Sequence, residues 1–130
     1  MVSISAQRSI MVRPIELALR EGSYMRRIHI ALGVRSLADS IADYTQRLAA
    51  QPHVIVPDQY ALWRTDTVNF SIRQIPAGEA PALRHLGWED DAASAFSETR
   101  DCNGIVWEEF GPEQQLQEIL GLWPDAQIKR

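Results

Sequence analysis

Two histidines occupy matching places in a pattern that occurs twice along the chain. His29 lies seven residues before Ser36, and His85 lies six residues before Asp91. In each case a strand-like run carries the histidine and a helix-capping residue follows. Two imidazoles together with a third protein ligand and an open position can hold a divalent metal, which then acts as a Lewis acid. Without a third ligand the pair binds metal poorly, and a histidine among apolar residues is more often a hydrogen-bonded core group. His53, beside Pro52, reads as surface. Cys102, the only cysteine, has no evident base partner and reads as inert. Asn69, Ser71 and Arg73 share one face of a strand and are candidates to line a cavity, with Arg64 and Arg73 candidates to grip an anion. Among the tryptophans, Trp63 is a candidate wall of an apolar pocket, although core packing explains most of them. There is no Gly-rich phosphate loop, no CxxC pair and no Ser-centred nucleophile motif.

The element that must position His29 runs from Arg26 to Leu48. Ile28, Ile30, Leu32 and Val34 alternate with His29, Ala31 and Gly33, the period of a half-buried strand. Ser36 precedes Asp39 by three residues, a capping-box-like start, and Leu37, Ile41, Tyr44 and Leu48 then share one helical face. The strand's aliphatic side and the helix stripe can bury each other, which leaves His29 and Ala31 on the other side of the sheet. Strand candidates follow at His53–Val56, Tyr60–Arg64 and Val68–Ile75, so residues 26–75 read β-α-β-β-β. Residues 76–82 form a Pro/Gly linker. Residues 83–130 restart the pattern incompletely. Leu83–Glu89 is predicted as a strand, Ala92 to about Arg100 as a helix capped by Asp91, Ile105–Phe110 as a strand, and Gly111-Pro112-Glu113 as the start of a C-terminal helix that Pro124 ends. Residues 1–24 are an extension with a possible short helix over Pro14–Arg20; translation from Met11 or Met25 is the alternative explanation.

The composition excludes several classes. A chain of 130 residues with 45% hydrophobic and 23% charged residues is a single soluble domain, not a disordered segment. A formal net charge of −4 without a Lys/Arg cluster argues against nucleic acid as a partner. No apolar run approaches a membrane span or a signal peptide, and a lone cysteine suits a reducing compartment, so the expected location is cytoplasmic.

The run HIALGVRSLADSIADYTQRLAAQP, with His29, Leu32, Val34, Ser36, Tyr44 and Leu48, resembles the opening of the vicinal oxygen chelate superfamily, the glyoxalase, bleomycin-resistance and extradiol-dioxygenase group. LRHLGWED around His85 is similar to the opening of that family's second module, and the resemblance covers about residues 26–110. Ala49 stands where the family usually has glycine. The resemblance implies an α+β fold in which paired βαβββ modules form a cup, here with a truncated second module and extra helices at both ends. It maps metal ligands to His29 and His85. The family's last-strand carboxylate has no firm counterpart; Glu108 and Glu109 come nearest, and Glu109 is taken as the third ligand. The expected metal is one divalent ion of Fe, Mn, Ni or Zn, or none.

Two functions follow. The first is a glyoxalase- or bleomycin-resistance-like small-molecule binding protein without an intact metal site, its ligand contacts at Trp63, Asn69, Ser71 and Arg73. The alternative is a metal-dependent lyase, isomerase or dioxygenase that uses His29 and His85. A homodimer is the expected assembly, because members of the superfamily often complete their cups by pairing.

Overall fold

The computed structural model describes residues 25–129; the extension over residues 1–24, with its expected helix, lies outside them. The fold is α+β. Eight strands form one mixed sheet: β1 (Arg26–Val34), β2 (Val54–Val56), β3 (Tyr60–Arg64), β4 (Val68–Gln74), β5 (Ala82–Asp90), β6 (Ser97–Arg100), β7 (Val106–Phe110) and β8 (Gln127–Ile128). The helices are α1 (Leu37–Leu48) and α2 (Pro112–Leu122). The strand order is β6-β7-β5-β1-β4-β3-β2-β8.

The first half is the β-α-β-β-β unit that the alternation indicated. β1 emerges beside β4 in parallel, and β3 and β2 continue antiparallel outward. Ser36 Oγ accepts from the amide of Asp39 and starts α1, and Ala49 ends it in the left-handed conformation at φ 52°. The apolar stripe of α1 buries Leu37 against Val34, Ala61, Trp63 and Ile72, with Ile41, Tyr44 and Leu48 packed at the margin. That accounts for one face of the sheet.

The second half differs from its expected form. Residues 91–96 make turns, not a helix, and Ser97–Arg100 is the edge strand β6, antiparallel to β7. Ala92, Ala95 and Phe96 fall at helical spacing, but the segment is short and its backbone pairs with β7 instead, so tertiary hydrogen bonding overrides the local pattern. β7 is parallel to β5, as β4 is parallel to β1. The final strand of the second unit is therefore present. The parts without a counterpart are the helix and the first of the three strands that follow it. β6 carries Ser-Glu-Thr-Arg, exposed and polar, which discourages edge-to-edge pairing.

The chain then returns to the first half. α2 opens with Pro112 at its first turn, and Gln114 Oε1 accepts from the amide of Gly111. Its Ile119 packs on Val54, Val56, Tyr60 and Leu62, on the sheet face opposite α1, and β8 pairs with β2 at the far edge. α2 thus covers part of that face and leaves a cavity beside it. No helix among the described residues is long and apolar enough to cross a membrane.

Candidate metal centre

Strand register brings the candidate ligands together. Across the middle of the sheet, Asn69 pairs with His29, His29 with Gly87, and Gly87 with Glu108. Paired residues point to the same face, so one row carries an amide, an imidazole, an empty position and a carboxylate. The next row pairs Ser71 with Ala31 and Ala31 with His85. β1 and β5 are thus related by a local two-fold: His29 stands opposite the residue two beyond His85, and His85 opposite the residue two beyond His29. The same relation places Glu108 where Ser71 stands in the first unit.

Gly87 is required by this row. A Cβ added there would collide with the backbone carbonyl of Glu108. Gly87→Ala is expected to push β7 away, costing about 1–3 kcal/mol as overpacking usually does. An unchanged urea midpoint for that variant would contradict the tight β5–β7 approach.

The three donor atoms converge. His29 Nε2 and His85 Nε2 lie 3.0 Å apart, and His85 Nε2 lies 3.1 Å from Glu108 Oε1. All three donors fall within 4.8 Å of one another. Bonds of about 2.1 Å to two adjacent corners of an octahedron set those donors roughly 3.0 Å apart, and the 2-His-1-carboxylate arrangement is a known ligand set for divalent metals. The two short edges match that spacing.

The surroundings prepare His29 as a ligand. Its Nδ1 lies 2.8 Å from Asn69 Oδ1, a bond that places the ring proton on Nδ1 and leaves the Nε2 lone pair facing His85. The Asn69 amide cannot be turned over, because its Nδ2 donates to Glu89 Oε1 and to Gln115 Oε1, each at 2.7 Å. Glu89 is fully buried and accepts a two-pronged bond from Arg64 at 2.8 Å on each oxygen and another from Arg27 at 2.9 Å. Burial lowers the proton affinity of the His29 ring, more than the Asn69 bond raises it, so His29 stays neutral and able to coordinate at lower pH than an exposed histidine. Burial acts to raise Glu108, but the hydrogen bond and charge of His85 outweigh it and hold the carboxyl below its usual range. A neutral imidazole and an ionised carboxylate are the forms that bind metal.

The carboxylate at this centre is Glu108, not Glu109. Alternation along β7 sends Glu108 and Phe110 into the cavity, while Glu109 reaches Arg26 at 4.0 Å and Trp107 Nε1 donates to Asp101. Trp63 does not line the cavity. It is wholly buried under α1, with Nε1 donating to the carbonyl of Ala50 at 3.0 Å. Arg64 is committed to Glu89, and Asn69 supports His29 from behind. Ser71 and Arg73 do face the cavity, which measures about 320 Å³. Phe96, Phe110, Ile119, Leu122 and Trp123 supply its apolar walls, and Arg84 and Glu118 add charge. Residues missed by sequence reasoning include Glu118 and Gln115, both on α2, and Glu89. The only available signal for Glu89 was its place four residues after His85, on the same strand face. Cys102 is exposed.

No protein-family model matches the chain, and no curated protein is significantly similar to it.

Proposed function

We propose that this chain is a metal-dependent protein of the vicinal oxygen chelate type, in which His29, His85 and Glu108 hold one divalent ion at the floor of the cavity. The convergence of a third donor, Glu108, on the two histidine Nε2 atoms carries this reading. The β-α-β-β-β first half and its reduced, two-fold-related second half support the glyoxalase-like assignment. Fe(II), Mn(II), Ni(II) and Zn(II) all suit this donor set. When bound, the ion polarises an oxygen of a small ligand. The protein's own groups do the rest. Asn69 holds the proton at Nδ1 of His29 and keeps the ring in its ligating orientation. Phe110, Ile119 and Trp123 give a ligand an apolar surface beside the donors. Burial, reinforced by the charge of Glu108, raises the proton affinity of the Glu118 carboxyl, which lines the same cavity and suits proton transfer to or from a bound ligand.

A binding protein without catalysis is the second reading, favoured by the aromatic side of the cavity at Phe96, Phe110 and Trp123. Elemental analysis of purified, untagged protein after incubation with Fe, Mn, Ni and Zn in turn separates the two. Near-stoichiometric retention of one metal is expected, and its disappearance in the His29→Ala/His85→Ala double variant. A wild-type chain that retains no metal under any of these conditions retires the first reading in favour of the second.

A further inference from the structure

Arg73 and Arg84 face a cavity that Glu108 and Glu118 also line, yet neither arginine is engaged in an ion pair there. Arg73 sits on β4 directly opposite Gly33 of β1, and the side chain of Arg84 reaches over the same glycine, its Cγ 3.9 Å from where a Cβ would stand. Both arginines line the cavity that holds the three donors. Neither pairs with a carboxylate among the described residues. The Arg73 guanidinium lies over the Trp123 ring at 5.0 Å, while its buried Nε has no hydrogen-bond partner among the described residues. A buried, unpartnered donor on a cation is costly to keep unless a ligand completes it.

The contrast with the other end of the same face is informative. There, Arg27 and Arg64 also converge, and the protein supplies Glu89 between them. At the Gly33 end no carboxylate of the described residues forms an ion pair with either arginine, and Glu108 and Glu118 act on them only at longer range.

We propose that Arg73 and Arg84 form a subsite for the anionic group of a small ligand, a carboxylate or a phosphate, whose opposite end reaches the His29–His85–Glu108 group. The row of Arg73 lies two residues along β4 from that of Ser71 and His85, about 7 Å at the usual strand rise. The ligand is therefore a short, two-ended molecule: an oxygen donor at one end and an acid group about one aromatic ring away. Its orientation rests on the metal reading above; the anion contact does not.

Benzoate, phenyl phosphate and neutral benzamide probe the subsite in chelator-treated, metal-free protein, by calorimetry and by the NMR shift of the Arg73 Nε–H. Both anions are expected to bind and to move that resonance, and benzamide is not. Arg73→Gln and Arg84→Gln are each expected to weaken anion binding at least tenfold, whereas Arg73→Lys, which keeps the charge, retains part of it. Tighter binding of phenyl phosphate than of benzoate assigns the natural ligand to phosphate esters, and the reverse order assigns it to carboxylic acids. Equal binding of benzoate and benzamide, undiminished binding in both Gln variants, or no binding of either anion to the wild type overturns the proposal. Because metal is absent throughout, these outcomes are independent of whether the protein retains metal.

Discussion

Glu108→Gln is expected to strip the protein of bound metal, while Glu109→Gln leaves metal content unchanged. The two residues are chain neighbours of the same type, so composition and overall charge cannot separate the variants. Geometry does. Glu108 Oε1 sits 3.1 Å from His85 Nε2, inside the group of three donors. Glu109 points to the opposite face and reaches Arg26 only at 4.0 Å, with its side chain about half exposed. Loss of an outer-shell contact alone weakens metal binding by about 10–100-fold, so removing the anionic donor itself should exceed about 100-fold. The His85–Glu108 hydrogen bond is partly exposed, and a Gln at 108 can keep it, so the fold should persist. Competition with a fluorescent metal chelator measures the change. Equal metal affinity in the two variants would remove Glu108 from the centre, and with it the main support for a metal-dependent function.

The second large effect concerns stability. Glu89→Gln is expected to cost about 3 kcal/mol in chemical denaturation, the low end of the range for breaking a buried ion pair, because Arg27 and Arg64 retain some contact with water. Glu89 is fully buried and holds Arg27, Arg64 and Asn69 at once. Burial alone would raise its proton affinity. The hydrogen bonds from Arg64 and Asn69 and the charges of both arginines more than offset this, so its pKa in the fold lies below the ordinary 4.5. A carboxyl depressed in the folded state contributes stability that is complete above its unfolded value and lost as pH falls through its folded value. Wild-type stability should accordingly decline below about pH 4.5, and part of that decline should vanish in Glu89→Gln. Identical acid limbs for the two proteins would mean that Glu89 is not the anion that holds this network. The surface pair Arg47–Asp43, i to i+4 on α1, offers a contrast: both side chains are largely exposed, and its loss should be nearly silent.

Much of this architecture was legible locally. β1 and α1 could be read because one element's period of two runs directly into another's period of 3.6, with Ser36 marking the junction. α2 was legible through Pro112 and its apolar positions. The segment from Asp91 to Arg100 was not, because its strand character comes from β7, which follows it in the chain. The choice between Glu108 and Glu109 was hidden by β7 itself. Val106 and Trp107 are both apolar, so either alternation buries a large side chain, and the strand is too short to break the tie. Only the pairing of Glu108 with Gly87 decides it. The polar support was equally opaque. Asn69 shares its strand face with Ser71 and Arg73, and nothing local distinguishes an amide that orients a histidine from one that contacts a ligand. Trp63 illustrates the reverse case: its strand neighbours Leu62 and Arg64 face the other side of the sheet, and α1 decides that Trp63 belongs to the core.

The return of α2 to the first half also sets the order in which the centre can be assembled. His29 enters with the first strand, yet its parallel neighbour Asn69 arrives 40 residues later, the second imidazole 56 residues later, and the glutamine that braces Asn69 comes at position 115. Contacts so distant along the chain close slowly, since long loops must be ordered before any pairing rewards them. A nascent chain that ends after β4 offers one of the three donors, and one that ends after β5 offers two, without Glu108. The complete donor set is thus among the last features to form. The donors are complete once Glu108 on β7 has paired, and the support behind His29 only once α2 has docked and set Gln115 against Asn69, so an ordered centre reports on the packing of both halves.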